Sequence, residues 1–215
     1  MEESSPVVEG LLMIHKIITR GLGNSIRKCD EYLSDSGISG KEAGGFSMYV
    51  STLKWVMHSH HTTEDELGFP YFRQHIEAPY DRLKEDHLSI AGMLQKLVKP
   101  VPGTSREELS SLRETLGEIE TLWAPHIQIE EEKFSNEKVN SLFGMGEQVK
   151  LAALLGKHSS NNSGPGQFAL PFMFFNLGKN DREIFMKNFP WIVRNVLVPV
   201  VWIGQWKPME PFFLS

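Results

Sequence analysis

Two copies of the pattern His-x-x-x-Glu, His60/Glu64 and His126/Glu130, lie in separate long amphipathic segments of this 215-residue chain. On an α-helix, residues four apart are offset by about 40° around the axis, so both side chains of a pair project from one face and reach one cation. Two lone histidines, His15 and His87, sit in two further segments of the same kind. Inward-facing histidines and carboxylates need partners to offset their burial. Six of them on four helices restrict the chain to folds that gather them into one place, and they have the look of the ligand set of a two-metal site.

The segment boundaries predict such a gathering. Ser5-Pro6 reads as an N-cap followed by proline at the first helical position, opening a helix over residues 6–33. His15 then lies roughly 14 Å along it. After a loop at 34–45, a second helix is expected from Phe46 to Leu67, stopped by Gly68 and Pro70. His60 sits roughly 10 Å from that end. The third helix opens at Pro79-Tyr80, with His87 roughly 10 Å from its start. A capping box of Thr104 and Glu107 opens the fourth, which frays near Ser135, so His126 and Glu130 lie roughly 7 to 14 Å from its end. Folded as an all-α, up-down-up-down four-helix bundle, the chain brings all six residues into one layer. Pro125, directly before His126, is expected to kink the fourth helix without ending it and to aim His126 inward.

Residues 1–140 are assigned to the bundle and 141–215 to a C-terminal extension that packs on it. The extension begins with a short helix over 140–155 and the loop GKHSSNNSGPGQ. Its last fifty residues are rich in Phe, Trp, Met and Pro, which favours short turns wrapping a surface. Their apolar area is too large to leave in water, so Phe168 to Leu214 are expected to cover the bundle and to form part of an apolar pocket opening on the metals. The stretch from Phe189 to Trp206 approaches the length of a membrane span, but Arg194, Asn195 and Pro199 interrupt it. A formal charge of −5 without a basic stripe excludes a nucleic-acid binder. The single cysteine, Cys29, excludes an internal disulfide and any cysteine-based metal cluster. The acidic opening MEESSPVVEG lacks the layout of a secretory signal, and a cytoplasmic protein is expected. Oligomeric state is left open.

Imidazole and carboxylate ligands suit iron, manganese or zinc, and Glu64 and Glu130 are natural bridges because each carboxylate has two oxygens. At this point the chain resembles a known family. A lone histidine on the first helix, HHTTEDELGFP on the second, EDHLSIAGML on the third and HIQIEEEKF on the fourth look like the hemerythrin-like, HHE cation-binding pattern across about residues 6–135. The resemblance implies a four-helix bundle with a non-haem centre of two iron ions that binds or reacts with O₂. It assigns His15, His60, Glu64, His87, His126 and Glu130 as ligands. Two departures stand out. Ala91 occupies the place of a second third-helix histidine, and the fourth-helix carboxylate is Glu130, four residues after its histidine, not an Asp five after it.

Fewer histidines leave a coordination position open, which favours exchange with substrate over dedicated O₂ carriage. The expected function is therefore activation of O₂, or a peroxide, to oxidise a small apolar molecule. The alternative is non-catalytic iron or O₂ binding for storage, sensing or carriage. His61, about 100° from His60 around the helix, reads as solvent-facing or as supporting the ligands from behind, with ligation as the alternative. Asp65 and Glu131 belong to the outward face, from which they can reach ligand histidines. His58 reads as a packed or surface residue, His75 and His158 as solvated loop residues, and Tyr71, Trp55, Trp123 and Met57 as core.

Overall fold

The computed structural model describes residues 4–34, 38, 40–97 and 104–213. Among them every regular element is helical and there is no strand. The expected connection at 100–103, parts of the loop at 34–45 and Leu214 lie outside the described residues.

Helix α1 spans Pro6–Ser34. Ser5 caps it as expected, its Oγ accepting the Val8 N–H at 3.3 Å, while its own N–H donates to Asn136 Oδ1 at 2.9 Å. Helix α2 spans Gly40–Thr63, starting six residues earlier than composition suggested. Gly44 and Gly45 weaken a helix locally, but here Gly45 meets the Pro208 backbone so closely that an added Cβ would overlap the Pro208 carbonyl. That tertiary contact offsets the low propensity.

Gly68 and Pro70 do not stop this helical run. The backbone widens into a π-helical turn over Glu64–Gly68 and resumes as α3, Phe69–Phe72. Proline lacks an N–H and collides with the carbonyl four residues back; a widened turn moves that carbonyl aside. Helix α4 is Tyr80–Lys96 and α5 is Arg106–Lys133. The capping box of α5 is Ser105 with Glu108, one residue later than Thr104 with Glu107. Both pairs fit the same sequence pattern, and the chain uses the second: Ser105 Oγ accepts the Glu108 N–H at 3.1 Å and Glu108 Oε2 accepts the Ser105 N–H at 2.7 Å. Helix α5 runs unbroken through Pro125.

Helices α6 (Asn136–Leu142) and α7 (Met145–Asn162) follow. Most of the segment read as the loop 156–167 is therefore helix. The remainder consists of α8 (Gly166–Phe175), α9 (Lys179–Met186), a second π-helical stretch (Val193–Val201) that contains Pro199, α10 (Ile203–Trp206) and a 3₁₀ turn (Lys207–Phe212). No described helix is long and apolar enough to cross a membrane.

Helix α1 packs on α2 and α5, and α4 packs on α5 and α2, so these four helices close a ring. Its interior holds two apolar cores. The larger includes Ile18, Met57, Ile90 and Trp123, together with Phe172, Phe174, Trp206, Met209 and Phe212 from the C-terminal part. The smaller includes Val8, Phe69, Leu83 and Phe134. On each helix of the ring the candidate ligands fall between one core and the other: His15 between Val8 and Ile18, His60 and Glu64 between Met57 and Phe69, His87 between Leu83 and Ile90, and His126 and Glu130 between Trp123 and Phe134. Most of the C-terminal aromatics are withdrawn from water, but Trp191 is 65% exposed.

Candidate metal centre

All six candidate residues are buried, with His126 and Glu130 at 0% exposure. Their donor atoms form two overlapping groups. One comprises His15, His60, Glu64 and Glu130, the other Glu64, His87, His126 and Glu130, and in each the donor atoms lie within 4.8 Å of one another. Glu64 and Glu130 belong to both groups, the placement expected of bridging carboxylates. A third group joins His61 to His87 and His126.

Three imidazoles are oriented by carboxylates behind them. His15 Nδ1 lies 2.9 Å from Glu131 Oε1, His87 Nδ1 lies 3.0 Å from Asp65 Oδ1, and His126 Nδ1 lies 3.3 Å from Asp86 Oδ2. With Nδ1–H donating outward, each Nε2 is left with its lone pair directed at the centre, the tautomer that binds a cation. His87 Nε2 and His126 Nε2 then face each other at 3.1 Å. Two lone pairs at that separation repel unless a proton or cation lies between them. Trp123 closes the layer on one side, edge-on to His15 and His60, with its Nε1–H donating to Thr19 Oγ1 at 2.9 Å.

The interior of the layer is short of hydrogen bonds. Among the described residues, His15 Nε2, His60 Nε2, His61 Nε2, Glu64 Oε2 and both Glu130 oxygens are buried without a hydrogen-bond partner. His15 Nε2 is 3.1 Å from Glu130 Oε2, near but without hydrogen-bond geometry. Leaving a buried polar atom unsatisfied costs on the order of 1–3 kcal/mol, and six such atoms pointing at one space fit cations held there. The donor set, two shared carboxylates and four or five imidazole nitrogens, suits iron, manganese or zinc.

Charge inside the layer is divided unevenly. Burial, reinforced by the carboxylates of Glu130 and Asp65, raises Glu64 well above the ordinary carboxylate range. Burial alone would raise Glu130 too, but His126 and His15 on either side reverse this and hold it below that range. His60 and His61 are lowered, first by burial and then by neighbouring histidines, and so favour the neutral, ligating form. For His15 the carboxylates of Glu130 and Glu131 override burial and raise it.

His61 is buried, not solvent-facing. Its ring stacks on His87 with centroids 4.1 Å apart. The π-helical turn begins at Glu64, directly after the segment carrying His60 and His61. His158 also departs from expectation: it lies on α7, 3.0 Å from Thr63 Oγ1 and 2.9 Å from Glu66 Oε2. His58 and His75 are exposed. Tyr71 stays outside the layer and donates its hydroxyl to Glu147. Asp86 was not foreseen. It precedes His87 on α4 but serves His126 across the helix interface, and an acid adjacent to a ligand histidine was the only signal available.

Next to the layer is a cavity of about 890 Å³. Its walls come mainly from α1, α2, α3, α7, α8 and α9 with the turn that follows α9, and include Leu11, Ile14, Phe69, Met173, Phe185 and Phe189. Of the six candidate ligands only His60 and Glu64 line it. His61, His87 and His126 do not line it.

Residues 7–136 match the family model described as the hemerythrin HHE cation binding domain. Neither a curated protein nor a solved structure matches the chain.

Proposed function

The chain belongs to the hemerythrin HHE cation-binding family, and from that premise we propose that its His/Glu layer holds two iron ions in an up-down-up-down four-helix bundle and activates O₂, or a peroxide, to oxidise a small apolar molecule. The observation that carries this reading is the convergence of unpartnered donor atoms on a layer whose exit, at His60 and Glu64, leads into an apolar cavity. His15 and His60 would hold one ion and His87 and His126 the other, with His61 a candidate fifth nitrogen for the second. Glu64 and Glu130 would bridge them. On this assignment the ion held by His15 and His60 would have fewer nitrogen ligands, and His60 and Glu64 would present it to the apolar cavity.

Bound iron would supply the electrons for reducing O₂. The chain's own residues supply the surroundings. Asp65, Asp86 and Glu131 keep three imidazoles in the ligating tautomer. The two apolar cores exclude water from both ends. The C-terminal residues Phe185 and Phe189 form part of the substrate wall. We place the protein in the cytoplasm.

Anaerobic loading with ferrous iron followed by exposure to O₂ tests the reading. Rapid, irreversible O₂ consumption that accelerates with an added apolar substrate and yields an oxidised product is expected. A stable spectrum that reverses when O₂ is removed would instead establish non-catalytic O₂ binding.

A further inference from the structure

We propose that the cavity beside the layer is a channel for a long, slender aliphatic chain, which lies along α7 and passes the His60/Glu64 wall side-on. This deepens the proposed function by naming its substrate class, and it relies on that reading only for the fate of the chain, not for its binding.

The shape argues for a chain. On α7 the lining runs from Val149 to Ser163, a span of roughly 21 Å at the helical rise. A volume of about 890 Å³ drawn over that span leaves a radius of roughly 4 Å. Such a space admits an extended chain along its length. Small side chains help to leave it open: α7 lines it with Ala152, Ala153, Gly156, Ser159 and Ser160 beside Val149 and Leu155. The opposite walls are apolar, and Met13 and Met173 among them adapt to a flexible guest.

The layer meets the channel on its side. Ser59 Oγ donates to the Ser159 carbonyl at 2.7 Å, and Thr63 Oγ1 is 3.0 Å from His158 Nδ1, so α7 passes His60 and Glu64 at residues 158–159. That level is roughly 14 Å from the Val149 end and roughly 7 Å from the Ser163 end. A chain filling the channel presents an internal carbon to the layer. Glu9 and Lys157, of opposite charge, are both exposed lining residues. Charge therefore selects no particular head group, and the tail defines the ligand class.

Titration calorimetry of the full-length, iron-loaded protein with hexanol, octanol and dodecanol, and with the carboxylic acids of the same lengths, tests this. Affinity is expected to rise by about fourfold per added methylene across both series. Ala152→Phe, which intrudes on the channel about one-fifth of the way along, should weaken dodecanol at least tenfold with iron content unchanged. Gly10→Leu, whose added Cβ meets nothing within 4 Å, provides a second block with little risk to folding. Affinity that stops rising beyond hexanol, or blocking variants that bind dodecanol as before, would overturn the channel. Length-dependent binding by a protein that takes up no iron would uphold the channel while refuting the proposed function.

Discussion

Each of the three oriented histidines is held by a carboxylate outside the six candidate ligands. Asp65, Asp86 and Glu131 each hold one Nδ1 and thereby decide which nitrogen points inward. Asp86→Asn and Asp65→Asn should each weaken iron binding by roughly 10- to 100-fold while leaving the helical circular dichroism intact; unchanged iron affinity in both would remove these carboxylates from the account. The clustering of the candidate residues was legible in part because the i, i+4 spacing of His60/Glu64 and His126/Glu130 puts each pair on one helix face. Their supports were less so, since which flanking acid crosses to another helix depends on the packing. Of the readings open for His61, burial removes the solvent-facing one, because a fixed angular offset says nothing about a neighbouring helix that covers it. Cys29 carries a separate consequence. Burial pushes its thiol from the ordinary 9.0 up to about 12. A raised folded-state value means that the stability contribution is intact below pH 9 and is lost as pH climbs towards 12. The urea midpoint should therefore fall across that window and Cys29→Ala should flatten the decline, whereas an equally steep decline in the variant would assign it to other groups.

At the scale of elements, the helices on which the ligands ride were readable from apolar periodicity, and their ends were not. Helix α2 begins early because Gly45 fits against the Pro208 backbone, a long-range contact invisible locally. The helical run outlasts Gly68 and Pro70 because the π-helical turn at Glu64–Gly68 accommodates the proline. A similar widening surrounds Pro199. Continuity of α5 through Pro125 was foreseen; the identity of its cap was not, because Thr104/Glu107 and Ser105/Glu108 are equivalent patterns one residue apart. Ser105→Ala removes the hydroxyl that accepts the Glu108 N–H and should cost about 1 kcal/mol of unfolding free energy. A loss below about 0.3 kcal/mol would argue that the first turn draws its stability from packing, a weaker role than measured N-caps have.

For the whole molecule, the two cores and the polar layer between them form one structure, and the C-terminal residues belong to the larger core. Composition alone signalled that those aromatics must be covered, without showing that they insert beside α1 and α2 so deeply. Gly45→Ala should therefore lower stability by about 1–3 kcal/mol through overpacking, although residue 45 is far from the layer in sequence; a wild-type melting temperature would show that Lys207–Phe212 docks more loosely than described. The layer between the cores is proposed as a two-iron site. Its most direct test is elemental analysis of protein purified without added metal, comparing the unaltered chain with the Glu64→Ala/Glu130→Ala double variant. The account predicts about two metal atoms per chain, predominantly iron, from the two overlapping donor groups, and loss of nearly all of it in the double variant together with reduced stability. Full metal retention without either shared carboxylate, or an unaltered chain that holds no metal, would contradict it.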